Sequence, residues 1–290
     1  MKSLRRLASK GVAEAQFVLG TLYEYGQKLS MNLTKAAKWY RLAADQGFAP
    51  AQHRLGCLYS EGEGGLPQDS DEAFKWVRLA ADQGLAEAQF SLGNFYLEGE
   101  AVPQDLAEAA RWYALAAGQG YDLAQLTLGF LYRDGSGVPQ KNDEALRLIG
   151  LAADQGLAEA QFALGMIYFE GEIVPADAAE ACRLYRLAAG QGLAEAQLSL
   201  GIIYYEGESV PPDPEEAIRL FRLAADQELS MAQFVLGMMY YEGSGVDKNL
   251  AEAVKWLTLA ADQDLPEANE LLEAISDEDE AEEFSPKNLH

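Results

Sequence analysis

The chain has 290 residues, of which 49% are hydrophobic, and it carries a formal net charge of −24. A chain of this composition can bury a large core, which excludes an intrinsically disordered protein over most of its length. The negative charge repels phosphate backbones, so we expect no nucleic-acid partner and expect a basic partner to be attracted.

The first twelve residues, 1–12, are predicted to form a partial helix that caps the fold. They lack the apolar run of ~7–15 residues found in a secretory signal, and no run elsewhere approaches the ~18 residues of a membrane-spanning helix. The two cysteines, Cys57 and Cys182, show no paired spacing, which favours a reducing compartment. We therefore expect a cytoplasmic protein without membrane insertion. An envelope or secreted location stays open if the natural start lies upstream.

The motif A-x-A-Q-x-x-L-G-x-x-Y recurs along the chain at a spacing of 36 residues, and once of 37. Self-similarity at this period is typical of a solenoid of stacked helical units. It divides residues 13–265 into seven repeats, which begin at residues 13, 49, 86, 122, 158, 194 and 230.

Each repeat is predicted to contain two helices. In the first helix, the spacing of the motif L-G-x-x-Y places its leucine, glycine and tyrosine on one apolar face of the helix. Leu92, Gly93 and Tyr96 are an example. A glycine inside a helix costs ~1 kcal/mol, so its recurrence predicts that another helix crosses closely at that point. A further glycine, such as Gly99, ends the helix in the left-handed conformation.

The second helix is predicted to begin at an Asp or Asn in six of the seven repeats: Asn32, Asp69, Asp105, Asp177, Asp213 and Asn249. In five of these a Glu follows three residues later, which resembles a capping box. All four tryptophans occupy one place of this helix, and leucine fills that place in the other three repeats: Trp39, Trp76, Trp112, Trp256, then Leu148, Leu184, Leu220. This regularity predicts a core position.

The C-terminal part differs in composition from the repeats. Residues 266–276, which include P-E-A-N-E-L-L-E-A-I, are predicted to form a capping helix. The acidic residues that follow predict a disordered tail over 277–290.

The repeated motifs A-x-A-Q-x-x-L-G-x-x-Y, G-x-G-V, E-A-x-x-W and L-A-A-x-Q-G resemble the Sel1-like repeat, a relative of the tetratricopeptide repeat, over residues 13–275. The resemblance implies an all-α, right-handed α/α superhelical solenoid. It also implies a scaffold or adaptor of the kind that serves bacterial signalling, envelope and secretion systems. A cysteine-rich branch of the family has been credited with binding or hydrolysing β-lactams, but its repeats each carry a disulfide, which this chain lacks.

The sequence offers little for catalysis, cofactor binding or metal binding. The histidines are His53 and His290, so a histidine-based triad would depend on His53. His53 and Cys57 share a helical face, but two ligands are fewer than a zinc site needs. We therefore expect no enzyme activity, no cofactor and no metal.

Two places in the first helix, the ninth and the twelfth of the repeat, vary between repeats and become apolar in the later ones. Together with the acidic residue after the twelfth place, they give the candidate partner-binding residues: Phe130, Met166, Phe169, Glu170, Ile202, Tyr205, Glu206, Met238, Tyr241 and Glu242. They predict a groove on the concave face, over about residues 122–265, for a basic or amphipathic protein segment.

Several alternatives stay open. The apolar side chains could pack between neighbouring helices, or could mediate self-association of the chain. The acidic surface could belong to an inhibitor or immunity-type protein that blocks a basic toxin or enzyme. An enzyme of the β-lactam-binding type is the last alternative, and the lack of a disulfide in each repeat argues against it.

Overall fold

The computed structural model describes residues 1–207 and 210–283, with side chains as far as Asp277, and every regular element in these ranges is a helix. The first helices of the seven repeats are α2 (Ala13–Glu24), α4 (Ala49–Glu61), α6 (Ala86–Glu98), α8 (Asp122–Asp134), α10 (Ala158–Glu170), α12 (Ala194–Glu206) and α14 (Ser230–Glu242). The second helices are α3 (Leu33–Ala44), α5 (Ser70–Asp82), α7 (Leu106–Gly118), α9 (Asn142–Asp154), α11 (Ala178–Gly190), α13 (Pro214–Ala225) and α15 (Leu250–Ala261). Two further helices flank the repeats, α1 (Lys2–Ser9) and α16 (Pro266–Glu283). The predicted all-α solenoid of helix–turn–helix repeats is confirmed.

The helices form two compact blocks. The N-terminal block comprises Met1–Gln155 and the C-terminal block comprises Gly156–His290. In each block, a helix packs mainly against the helices before and after it in the chain. Buried alanines of the second helices, such as Ala116 and Ala188, lie against buried leucines of the first helices and permit this close packing.

The glycine of the L-G-x-x-Y motif lies where two helices of one repeat cross. At Gly201 of α12, a Cβ atom would lie 2.6 Å from Cε1 of Phe221 on α13. At Gly165 of α10, it would lie 2.7 Å from Cε1 of Tyr185 on α11. A Cβ atom at either position would clash with an aromatic ring of the second helix, so the close crossing predicted from the sequence is confirmed.

The predicted helix ends are also confirmed. Gly171, which follows α10, has φ of +71° and is left-handed. The side chains of the six predicted Asp and Asn residues each accept a backbone N–H of the first helical turn: Asn32, Asp69, Asp105, Asp177, Asp213 and Asn249.

The reciprocal half of the predicted capping box is wrong. The backbone N–H of Asp69 donates to the carbonyl oxygen of Tyr59 at 2.9 Å, so it is not available to a glutamate. The carboxylate of Glu72 instead accepts hydrogen bonds from Lys75 Nζ at 2.8 Å and Trp76 Nε1 at 3.0 Å. The tyrosine of the preceding helix therefore takes the role that the box assigns to Glu72.

A pair of glutamines connects the two helices within each repeat, which sequence reasoning missed. The buried glutamine of A-x-A-Q accepts a hydrogen bond from the glutamine that follows the second helix of the same repeat. These pairs are Gln16–Gln46, Gln52–Gln83, Gln89–Gln119, Gln125–Gln155, Gln161–Gln191, Gln197–Gln227 and Gln233–Gln263. The spacing of the two glutamines, 30 residues in six repeats and 31 in the repeat with the extra glycine, is the sequence feature that would have revealed them.

The last helix is longer than predicted. α16 continues to Glu283, seven residues beyond the end expected at 276, and its added segment contains Ala and Glu, which favour helix. The rest of the predicted disordered tail, residues 284–290, lies outside the described residues. No helix within the described ranges is both long and apolar enough to cross a membrane.

Candidate interaction surface

Three of the apolar predicted partner-binding residues are exposed on the C-terminal block. Phe169, on the last turn of α10, has 50% of its surface exposed. Ile202 and Tyr205, on α12, are 37% and 43% exposed. We call these three residues the apolar stripe. Large exposed apolar side chains bordered by polar ones are typical of sites that bind another molecule.

The other apolar candidates of this block are partly buried. Met166 packs against the core cluster that contains Leu200. Tyr241 packs against the cluster that contains Leu257, and Lys248 Nζ lies 5.2 Å from the centre of its ring. Met238 is half-buried as well. Packing between helices therefore accounts for Met166 and Tyr241, but leaves the apolar stripe unexplained.

Phe130 belongs to the N-terminal block. It is half-buried on α8, and the guanidinium carbon of Arg133 lies 4.8 Å from the centre of its ring. The candidate interaction surface therefore lies on the C-terminal block alone.

Phe169 rests on a rigid neighbour. Its ring centre lies 6.4 Å from that of Tyr185, which is buried under the helix crossing at Gly165. Burial raises the pKa of Tyr185 to about 12, and the negative charge of Glu170 adds to this effect. The exposed ring is thus positioned by a side chain that cannot easily move.

Exposed carboxylates end the three first helices of the C-terminal block, at Glu170, Glu206 and Glu242. Among the described residues, no ion pair involves any of them, although Ser244 Oγ donates to Glu242 at 3.0 Å. The cations Arg183, Arg219 and Lys255 pair instead with glutamates of their own helices, Glu180, Glu216 and Glu252. The three carboxylates are therefore available to cations of a partner.

The negative charge is concentrated in the same block. Residues 156–290 contain 27 acidic and 7 basic residues, which gives −20 of the total formal charge of −24. Residues 1–155 contribute only −4. Counting charge separately for the two halves would have revealed this from the sequence, and it favours the C-terminal block as the site for a basic partner.

Two equivalent places in the N-terminal block, Cys57 and Asn94, line a polar cleft of about 180 Å³ together with Ser91. His53 Nε2 lies 2.9 Å from Ser91 Oγ and 3.7 Å from Cys57 Sγ. Burial raises the pKa of Cys57 and lowers that of His53, so both groups are held neutral. A nucleophilic cysteine needs the opposite, a thiolate beside an imidazolium.

The described residues contain no cluster of three or more His, Cys, Asp or Glu side chains that could hold a metal ion.

A family model for the Sel1 repeat matches seven consecutive segments of the chain, residues 13–48, 49–85, 86–121, 122–157, 158–193, 194–229 and 230–265. A solved Sel1 repeat protein from Oxalobacter formigenes is 38% identical, with a TM-score of 0.77, over 94% of this chain and 78% of that chain. A protective antigen of uropathogenic Escherichia coli is 35% identical, also with a TM-score of 0.77. The match covers 94% of this chain but only 58% of the antigen. No curated protein matches the chain.

Proposed function

The chain belongs to the Sel1 repeat family, and from this premise we propose that it is a non-catalytic scaffold that binds a basic or amphipathic protein segment through its C-terminal block. Proteins with Sel1 repeats are generally protein-interaction scaffolds. The proposal includes a cytoplasmic location. The neutral state of the Cys57 and His53 side chains supports the absence of catalysis at the polar cleft.

The observation that carries the proposal is the apolar stripe together with the carboxylates beside it. Phe169 and Tyr205 are each followed directly by an exposed glutamate, Glu170 and Glu206. An amphipathic segment can bury its apolar side chains on such a stripe while its Lys or Arg side chains reach the carboxylates. Burial of two aromatic rings supplies affinity, and the carboxylates supply the preference for a basic partner.

The test is affinity capture from native lysate with the full chain and with the double variant Phe169→Ser/Tyr205→Ser. The matched control is Tyr25→Ser, which removes an aromatic ring that is 63% exposed on the N-terminal block. We expect the wild type and the control to retain the same partners and the double variant to lose them. Binding should also weaken as salt rises from about 0.05 to about 0.5 M, because salt screens exposed charges.

Thermal unfolding of each variant separates binding from packing. A folded double variant that captures an unchanged set of partners would contradict the proposal. A collapse of its melting temperature would show that the stripe is part of the core. Capture of one basic protein that stays bound at high salt would favour the alternative of an inhibitor or immunity-type protein.

A further inference from the structure

An arginine, a tyrosine and a tryptophan meet on three successive helices of the N-terminal block. The guanidinium carbon of Arg41 on α3 lies 5.4 Å from the ring centres of both Tyr59 on α4 and Trp76 on α5. Arg41 also donates a hydrogen bond to the Tyr59 hydroxyl. The indole N–H of Trp76 donates to Glu72 at 3.0 Å. The indole is therefore held by a cation on its face and by a carboxylate at its N–H.

The arginine and the tryptophan of this group vary together along the chain, whereas the tyrosine is constant. When the arginine that lies just before a repeat is counted with that repeat, four repeats have both residues: Arg5 with Trp39, Arg41 with Trp76, Arg78 with Trp112, and Arg222 with Trp256. Two repeats have neither, because Ala114 accompanies Leu148 and Gly150 accompanies Leu184. One repeat breaks the rule by combining an arginine, Arg186, with a leucine, Leu220.

A cleft of about 340 Å³ lies at this exception, within the C-terminal block. Its lining includes Arg186, Tyr204, Glu216 and Leu220, which correspond to Arg41, Tyr59, Glu72 and Trp76. Arg186 Nη2 donates to the Tyr204 hydroxyl at 2.9 Å, as Arg41 does to Tyr59. The arginine, the tyrosine and the glutamate around the Trp76 indole thus each have a counterpart here, whereas the tryptophan itself is replaced by the smaller Leu220.

We propose that this cleft binds an indole ring, the tryptophan side chain of a partner protein, which takes the place that Trp76 fills in its own repeat. The face of the ring would stack on Arg186, and tryptophan is the aromatic side chain that binds a cation most strongly. Its N–H would donate to Glu216, and Leu220 and Leu223 would contact its apolar edge.

The charges of the cleft favour a tryptophan within a polypeptide over the free amino acid. Glu216 is paired with Arg219 at 2.6 Å, and Arg186 is bonded to a neutral hydroxyl. The carboxylate of the cleft is already paired with a cation, so it is not available to bind the ammonium group of a free amino acid. The residues of the cleft are different from those of the apolar stripe, so the two sites can be tested separately.

The experiment is a fluorine NMR titration of N-acetyl-5-fluorotryptophan amide with the full chain. We expect a saturable change in the fluorine resonance with the wild type. Leu220→Trp should abolish it, because the chain's own indole then fills the cleft as Trp76 does in its own repeat. Arg186→Ala should weaken binding about fivefold through loss of the cation–π contact. The stripe variant Phe169→Ser/Tyr205→Ser should bind the probe as the wild type does, whether or not the proposed scaffold function holds.

Three results would overturn the inference. The first is the lack of saturable binding by the wild type at probe concentrations up to about 10 mM, beyond which an affinity has no specific meaning. The second is unchanged binding by a folded Leu220→Trp variant or, if that variant fails to fold, by Arg186→Ala. The third is binding of free 5-fluorotryptophan more than about tenfold tighter than the amide, which would point to an amino acid rather than a protein as the ligand.

Discussion

The side-chain oxygen of Gln89 accepts a hydrogen bond of 2.7 Å from Nε2 of Gln119, thirty residues further along the chain. Gln89 is only 5% exposed, and its own Nε2 donates to the carbonyl oxygen of Ala81 at 3.4 Å. Ala81 lies near the end of α5, and Gln119 directly follows α7. One buried amide on α6 therefore connects the second helices on both sides of it.

Replacement of Gln89 should cost far more stability than replacement of Gln119. Gln89→Ala removes both hydrogen bonds from a buried site, which we expect to cost about 1–3 kcal/mol, although the Ala81 carbonyl keeps the backbone N–H of Gly84 as a donor at 2.9 Å. Gln119 is exposed, so water can replace its amide, and Gln119→Ala should cost less than about 1 kcal/mol. Urea unfolding followed by circular dichroism measures both. Equal costs would show that the buried amide is not the stabilising member of the pair.

Gly201 should not tolerate a methyl group. Because the new Cβ would lie 2.6 Å from Phe221, Gly201→Ala should destabilise the C-terminal block by about 1–3 kcal/mol through overpacking. The matched control is Gly190→Ala on α11, where the added Cβ would meet nothing within 4 Å. The control should be neutral or stabilising by up to about 1 kcal/mol, since alanine favours helix. Thermal unfolding compares the two.

A double-mutant cycle with Phe221→Ala identifies the cause of the clash at Gly201. If the contact with Phe221 is responsible, the cost of Gly201→Ala should largely vanish once the ring has been removed. Strictly additive costs would place the clash elsewhere in the crossing.

Alkaline pH should weaken the fold through Tyr185. A tyrosine in the unfolded chain loses its proton near pH 10, whereas Tyr185 in the folded protein keeps it until about pH 12. The contribution to stability is therefore complete below pH 10 and is lost as pH rises from about 10 to 12, by at most about 3 kcal/mol. Tyr185→Phe should make the loss of stability in this interval smaller. Tyr205→Phe, which changes an exposed ring, should leave it unaltered.

The repeat pattern predicted the fold because its strongest features are local. An Asp before a helix and a Gly after it act on the nearest turn of backbone, so Asp69 and Gly171 could be assigned from the sequence alone. The hydrogen bonds of Glu72 could not be assigned in this way. The backbone N–H of Asp69, which a capping box would pair with Glu72, donates instead to the carbonyl oxygen of Tyr59 on the preceding helix. Local rules fail where a group from another helix competes for the same partner.

The candidate surface was harder to predict than the fold. Variation between repeats pointed equally to Met166 and to Phe169, but only the structure shows that Met166 packs inward while Phe169 remains half exposed. The pairing of Arg186 with Leu220 was visible in the sequence from the start. It acquired a meaning only when the contacts of Trp76 showed that an indole lies beside the equivalent arginine, Arg41.

The Trp76 site offers a way to build the proposed indole cleft a second time. Trp76→Leu should leave Arg41, Tyr59 and Glu72 around the space that the indole had filled. Arg186, Tyr204 and Glu216 occupy the equivalent positions around Leu220. In the Leu220→Trp background, which should bind no N-acetyl-5-fluorotryptophan amide, the added Trp76→Leu change should restore saturable binding in the fluorine NMR titration.

Trp76 is only 8% exposed, so its loss should also lower stability by about 2–4 kcal/mol, and the titration must be run well below the melting temperature. Leu220→Trp alone is the control for binding to the rest of the surface. If the double variant is folded by circular dichroism and still binds no probe, then an arginine, a tyrosine and a glutamate in this arrangement do not suffice to hold an indole. The assignment of the Leu220 cleft would then lose its main argument, which is the likeness of the two places.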